Sequence, residues 1–239
     1  MERLDKIISN FGGLTRSTAR EYLKKGRIQV NDSIIKDGSI KVSDNDIIRI
    51  DGKIINRTGL RYFMLNKPAG YISSTEDDVN DESPSVISLF KNENIKGLFP
   101  AGRLDKDTTG LIIITNDGEL GHRLTSPAKR VEKAYIAEVK GILQDKDIEE
   151  FKKGFKFKDF TSKPAVLEII KRDPDEGTSV AKVIISEGKY HQVKRMFLKV
   201  GCEVTRLKRI SEGSLNLDDN LKPGEYRELT DEELKILYS

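Results

Sequence analysis

The stretch Gly102-Arg103-Leu104-Asp105-Lys106-Asp107-Thr108-Thr109-Gly110-Leu111-Ile112-Ile113-Ile114-Thr115 decides how this chain is read. Its second half is a run of apolar and β-branched residues. Gly110 closes it on one side and the turn formers Asn116-Asp117-Gly118 on the other. That pattern predicts a strand buried on both faces. A buried strand is a rigid platform, and the charged loop before it sets Arg103 and Asp105 at one end. Reactive side chains are held well in such a place.

Working outward, residues 62–65 read as a second strand, ending in the turn Asn66-Lys67-Pro68-Ala69-Gly70, where Pro fixes φ and Gly accepts a positive one. Residues 74–80 are a polar, acidic loop. Ser83-Pro84 opens a short helix to about Phe90, because Pro suits a first helical turn. Beyond the central stretch, residues 116–124 read as a capped helix. Residues 133–139 alternate as a strand that carries Tyr135. Residues 145–154 are amphipathic, which predicts a helix. Residues 166–170 and 180–185 form a hairpin across the turn Asp173-Pro174-Asp175-Glu176-Gly177. In Gly188-Lys189-Tyr190-His191-Gln192-Val193-Lys194-Arg195-Met196-Phe197, positions 193, 196, 197 and 200 have the spacing of a buried helical face. Lys194 and Arg195 leave that face, so a basic side chain there can turn toward the strand ends. Thr230 and Glu233 make a capping box for a last helix.

The first quarter has a different character. Residues 1–60 hold twelve Lys and Arg against eight Asp and Glu, a surplus of four positive charges. The remainder holds 30 against 31. Apolar positions 4, 7 and 8 have helical spacing, and Gly12-Gly13 stops that helix. Thr15 caps a second helix running to about Lys25, with Gly26 as its stop. Arg16, Arg20 and Lys24 fall at i, i+4 and i+8 on it, one basic stripe that is either a solvated face or a phosphate contact. Residues 30–34 read as strand-turn-strand and 46–50 as a further strand. Residues 51–61, with Gly52, Gly59 and three basic residues but no period, read as a linker that lets the first module move. The division is therefore residues 1–55, a connecting 56–61, and 62–239.

Composition narrows the function classes. Charged residues make up 34% and hydrophobic ones 36% of 239 residues, a soluble globular balance with room for two domains. No run approaches the roughly 18 apolar residues of a membrane span, and the charged N-terminus lacks the apolar core of a signal peptide. Cys202 is the single cysteine, which points to a reducing cytoplasm. Two histidines and one cysteine do not make an ordinary zinc site, and no Gly-rich phosphate loop is present. No metal and no cofactor are expected.

The central run, Gly-Arg-Leu-Asp-x-x-Thr-x-Gly-Leu followed by a β-rich stretch and Thr-Asn-Asp-Gly, resembles the catalytic motif of RNA pseudouridine synthases. More narrowly it resembles the RsuA family, which isomerises single uridines in ribosomal RNA. Lys67-Pro68-x-Gly70, Tyr135, and Gly188-Lys189-x-His191-Gln192-Val193-Lys194-Arg195-Met196 match further family motifs, in family order. Arg3-Leu4-Asp5, Arg16-Ser17, Ala19 and Gly26-Arg27-Ile28-Gln29-Val30-Asn31 resemble the S4 RNA-binding domain. The fold implied is α+β. A small S4-like module precedes a synthase domain built on a mixed, mainly antiparallel central sheet flanked by helices and loops.

The resemblance implies Asp105 as nucleophile and Arg103 as the residue occupying the space an extruded base leaves. It implies Tyr135 for base stacking or proton removal, and Lys194 as the cation paired with Asp105, with Arg195 as the alternative. Arg3, Arg16, Arg20, Lys24, Arg27 and Lys67 are the expected RNA contacts. The reaction breaks the bond from ribose to base nitrogen, turns the base and rejoins it through carbon. Nothing is gained or lost, so a carboxylate nucleophile suffices. Attack on the ribose and attack on the base are both open to it. The target base must first leave its stack, at a cost of a few kcal/mol.

Residues 62–68 and 163–168 look closest to the small-subunit branch of the family. That implies a monomer acting on 16S ribosomal RNA, at the uridine 516 type of site, during small-subunit biogenesis. The rival readings are a synthase acting on 23S or transfer RNA, and a non-catalytic ribosome-assembly factor, which would need the basic module but not Asp105, Tyr135 and Lys194.

Overall fold

The computed structural model of the chain describes residues 2–12, 14–43, 46–55, 59–80, 82–90, 93, 95–126 and 128–238. The described residues gather around two separate sheets, each with its own apolar core, and so form two units. In the first, the helices Leu4–Phe11 and Arg16–Lys24 share one apolar core with a four-stranded antiparallel sheet. Its strand order is Ser33–Ile34, Ile28–Val30, Ile48–Ile50, Lys53–Ile54. Thr15 caps the second helix as expected, its hydroxyl accepting from the Thr18 amide at 3.2 Å. Arg16, Arg20 and Lys24 are all exposed.

The linker expected over 51–61 is shorter than that. Lys53–Ile54 pairs with Ile48–Ile50 across a turn in which Asp51 and Gly52 have φ of 50° and 76°. Ile55 is buried in the first unit's core. Asp and Gly tolerate the left-handed region, so the pair made a hairpin where composition alone suggested a connector. Residues 56–58 of the expected linker lie outside the described residues. The two units touch: the Lys6 ammonium lies 2.5 Å from Glu119 on the helix Gly118–Thr125.

The second unit is built on a nine-stranded mixed sheet. Its main path runs Val166–Asp173, Thr178–Ile185, Lys133–Lys140, Glu203–Glu212, Thr109–Thr115, Tyr62–Lys67, Tyr226–Glu228. All neighbours are antiparallel except Glu203–Glu212 and Thr109–Thr115, a short parallel joint at Lys208↔Thr109 and Arg209↔Gly110. The central strand is buried on both sides, as its composition predicts. Ile112 and Ile114 enter the larger core with Phe63, Leu65, Phe151 and Phe197. Leu111 and Ile113 enter the other with Met64, Leu120 and Leu124. Fully buried side chains of this size each stabilise a fold by roughly 1.5–3 kcal/mol.

At the parallel joint the chain approaches its neighbour closely. A Cβ on Gly110, whose φ is +101°, would stand 2.2 Å from the Arg209 carbonyl oxygen. Only glycine lets the loop 105–108 enter the sheet there.

Asp117 caps the helix after the central strand and also accepts hydrogen bonds from the hydroxyls of Tyr62 and Tyr238, which ties the C-terminal helix Asp231–Tyr238 to the sheet. The hairpin Val166–Asp173/Thr178–Ile185, the helices Asp145–Lys153 and Gln192–Lys199, and the Thr230–Glu233 capping box form where the sequence places them. The short helix expected from Ser83-Pro84 is a 3₁₀ turn, Val86–Phe90. The Ser85 hydroxyl takes the Ile87 amide and the Ile72 carbonyl takes that of Val86, so the opening amides have partners outside a helix.

Candidate active site

Asp105 opens the turn that leads into the central strand, its carbonyl accepting from the Thr108 amide, and it lies on the wall of a cavity of about 410 Å³. That volume falls within the range of small-ligand sites. Ile72, Leu104, Ile185, Val193 and Leu207 supply apolar walls, Tyr135 lies at the base of the cavity, and Arg103 is exposed beside it. The Asp105 side chain is 30% exposed, so it faces both protein and incoming solute.

The loop that presents Asp105 is held from beneath by Lys67, at the end of the neighbouring strand and opposite Gly110 in register. The Lys67 ammonium is 0% exposed and donates to four backbone carbonyls. They belong to Pro68 at 3.1 Å, Asp105 at 3.0 Å, Lys106 at 3.2 Å and Thr108 at 2.8 Å. Ser73 makes a second clamp, its hydroxyl accepting from the Leu104 amide and facing the Leu104 carbonyl, both at 2.9 Å. The Gly70 amide donates to the Lys106 carbonyl at 2.8 Å. The expectation that Lys67 contacts RNA is therefore corrected: a side chain with no solvent-accessible surface reaches no phosphate. Burial pulls its ammonium down to about 8, against the attraction of Asp107 and Asp105.

Lys194 comes off the helix Gln192–Lys199 and lies 3.2 Å from Asp105 and 2.6 Å from Asp107. Burial works against its charge, but the hydrogen bond to Asp107 and the charge of Asp105 outweigh burial and shift it upward. Asp107 is likewise raised by burial and drawn down by more through Lys194. One cation thus serves two carboxylates. Arg195 does not compete for Asp105. Its guanidinium pairs with Asp159 at 2.5 Å and lies over the rings of Phe157 and Phe160. One residue along a helix is a turn of about 100°, enough to send Lys194 into the cavity and Arg195 out of it.

Tyr135 is buried, in register with Arg209 on the next strand. Burial raises its hydroxyl above the ordinary value, with Arg209 opposing. Arg209 is 1% exposed, donates to the Leu111 carbonyl at 2.7 Å, and lies 3.4 Å from the fully buried Glu212, which Lys133 approaches at 3.5 Å.

The sequence brought Asp105, Arg103, Tyr135 and Lys194 forward, and the fold gathers all four at one cavity. It passed over Asp107, His191, Tyr190, Arg209 and Glu212. Asp107 sat in the quoted run two residues after Asp105, and that spacing was its only signal. Of the expected RNA contacts, Arg3 is paired with Asp5 at 2.7 Å, and Arg27 is paired with Asp51 at 2.5 Å and stacked on Tyr22. Arg16, Arg20 and Lys24 form no ion pair among the described residues.

Residues 61–199 match the RNA pseudouridylate synthase family, and residues 2–48 match the S4 domain. The ribosomal small subunit pseudouridine synthase A of Escherichia coli is 42% identical over 236 residues, covering 97% of this chain and 98% of that protein. An uncharacterized RNA pseudouridine synthase of Aquifex aeolicus is 42% identical over 238 residues, covering 98% and 95%. A crystal structure of a pseudouridylate synthase superposes with a TM-score of 0.70 at 37% identity, covering 99% of this chain and 100% of that one.

The Lys67 geometry fixes a pH dependence. Its folded value of about 8 lies below the 10.5 of a free lysine, so the unfolded chain holds this proton more tightly. Folding then gains stability as pH rises from about 8 to 10.5, by up to about 3 kcal/mol. Urea unfolding of the wild type and of Lys67→Met between neutral pH and that limit checks it. The stability difference should move in favour of the wild type as pH rises, whereas a flat difference would contradict a depressed, buried ammonium.

Proposed function

The chain belongs to the RNA pseudouridylate synthase family and carries an S4 domain ahead of its catalytic unit, and from that premise we propose that its substrate is small-subunit ribosomal RNA. The finer reading is isomerisation of one uridine in 16S ribosomal RNA, at the uridine 516 type of site, during small-subunit biogenesis. Similarity over nearly the full length to enzymes named for the small subunit supports the target. The observation that carries the chemistry is the position of Asp105, at the wall of a cavity with Lys194 at 3.2 Å and Tyr135 at its base. We read the chain as a cytoplasmic monomer, with residues 1–55 as the RNA-anchoring unit and 62–239 as the catalytic one.

In this reading the uridine leaves its stack and enters the cavity, where apolar walls exclude water from the base. Arg103, exposed and without an ion pair among the described residues, stands where it can fill the vacated space. The Asp105 carboxylate attacks as nucleophile, and the bond between ribose C1′ and base N1 breaks. The cavity retains the detached base while it turns, C1′ rejoins at C5, and the bond that Asp105 formed to the ribose or to the base breaks, returning the free carboxylate. The proton on C5 is then removed and N1 ends protonated, so the atoms of substrate and product balance. Lys194 orients Asp105 and lies beside its carboxylate at 3.2 Å, where its charge faces the reacting oxygen. Tyr135 offers its ring face to the base and its hydroxyl to the proton traffic.

Two experiments test this reading. Pseudouridines are mapped in ribosomal RNA from cells with and without the gene, and from cells carrying Asp105→Asn, which keeps the shape and removes the charge. A 16S site should disappear in both altered strains. A large-subunit site disappearing with 16S unchanged would contradict the target, and near-normal modification by Asp105→Asn would contradict the nucleophile.

The second concerns the stripe on the helix Arg16–Lys24. Replacing Arg16, Arg20 and Lys24 together should weaken RNA binding and flatten its salt dependence by up to about 0.7–0.9 log units per lost phosphate contact. The rate at saturating RNA should change much less. Binding over a salt series beside single-turnover rates checks it. An unchanged slope would make the stripe a solvated face.

A further inference from the structure

Tyr190 and His191 stand at the mouth of the cavity and have no part in the chemistry derived above. Their rings are stacked, with centroids 3.8 Å apart and planes 17° from parallel. The His191 Nε2 lies 3.7 Å from Asp105. From the nucleophile outward the order is carboxylate, imidazole, phenol ring, and then solvent. Tyr190 is 75% exposed. A ring that bare contributes little to the core, and among the described residues His191 is the one ring it stacks on.

The pair is nonetheless built rigidly. His191 has φ 49°, the left-handed region that side chains other than glycine seldom adopt. Such a conformation persists only where the surroundings over-determine it. Here Gln192, itself buried, does so. Its side-chain oxygen accepts from the Lys189 amide at 3.0 Å, its side-chain nitrogen donates to Glu187 at 2.9 Å, and its backbone amide donates to the Lys189 carbonyl at 3.1 Å. The His191 carbonyl accepts from the Arg195 amide at 2.9 Å, the first helical bond. An exposed aromatic face on a pre-set loop, beside a cavity flanked by the exposed Lys189 and Arg103, suits a nucleobase and its phosphates.

We propose that the outer face of Tyr190 is the stacking seat for the unpaired nucleobase next to the target uridine, with the His191 ring as its rigid backing. This rests on the reading of the chain as an isomerase of uridine in RNA. The seat gives the neighbouring nucleotide a new stack when the target leaves the old one, so it holds the strand open at the cavity. Because every base has a π face, the seat adds binding and placement without reading the neighbour's identity. Tyr190 is thus a positioning residue.

The test uses the full chain and a ribosomal RNA fragment containing the mapped uridine, with 2-aminopurine placed at each neighbour in turn. Tyr190→Ala should raise the RNA concentration for half-maximal single-turnover rate by about five- to 150-fold, the span of one base–aromatic stack. The saturated rate should fall by less, and the thermal midpoint should stay, because Tyr190 buries little. Tyr190→Phe and Tyr190→Trp should restore binding. Fluorescence of 2-aminopurine at one neighbour should be quenched on binding to the wild type, Phe and Trp chains, and not to the Ala chain. Wild-type-like binding and quenching in Tyr190→Ala, or a loss in Tyr190→Phe as large as in Ala, would overturn the seat. A wild-type chain that isomerises no uridine in that RNA would contradict the function on which the seat rests. Normal wild-type turnover with a normal Tyr190→Ala contradicts the seat alone.

Discussion

The buried ammonium of Lys67 is the constraint on which the rest of the site depends. A charge taken fully out of water is costly unless its surroundings replace the lost solvation. Here four carbonyls do so, three of them from the loop 105–108. To satisfy the lysine the loop must fold around it, and a loop so folded has one place for the Asp105 side chain. The sheet fixes the lysine in turn, since Lys67 lies opposite Gly110 and Gly110 lies against Arg209. Three strands therefore meet at one point. The glycine there lets the loop enter, and the lysine turns it toward the cavity.

Charge around the nucleophile is arranged on the same economy. Lys194 bridges Asp105 and Asp107 and is the one lysine or arginine in an ion pair with Asp105 among the described residues. Asp107 orients the lysine from the exposed side and leaves Asp105 the less tightly held carboxylate, with contacts of 2.6 Å and 3.2 Å respectively. Behind Tyr135, the buried Arg209 and Glu212 and the partly exposed Lys133 form a second charged group. A tyrosine backed by such a group keeps its place when a base presses on it.

How much of this was legible in the sequence follows from what sequence periodicity reports. It reports which side of an element is dry, so 111–115 showed as doubly buried, 133–139 as alternating, and Val193, Met196 and Phe197 as a helix face that left Lys194 free to turn inward. The charge surplus of residues 1–60 and the Thr15 cap likewise foretold a separate basic module. Periodicity says nothing about buried charge. Lys67 in a Lys-Pro turn looks like a surface residue, and Glu212 at the end of the strand Glu203–Glu212 looks like an outward position. Each is hidden by chain distant in sequence. The Asp51-Gly52 hairpin was missed because its strands are two and three residues long. The Tyr190–His191 stack could not be seen at all, since it depends on a left-handed backbone at a histidine.

The central claim is that a single cation, Lys194, pairs with Asp105 and sets its direction, while its neighbour on the helix does not. Single-turnover rates at saturating RNA for Lys194→Gln and Arg195→Gln, measured beside the wild type with folding checked by thermal melting, test it most directly. The account predicts a loss of about a hundredfold or more for Lys194→Gln, the order seen when one preorganised charge partner is removed from an active site. Arg195→Gln should stay within a few-fold of wild type. Equal losses in the two variants, or a folded Lys194→Gln chain working at the wild-type rate, would contradict it.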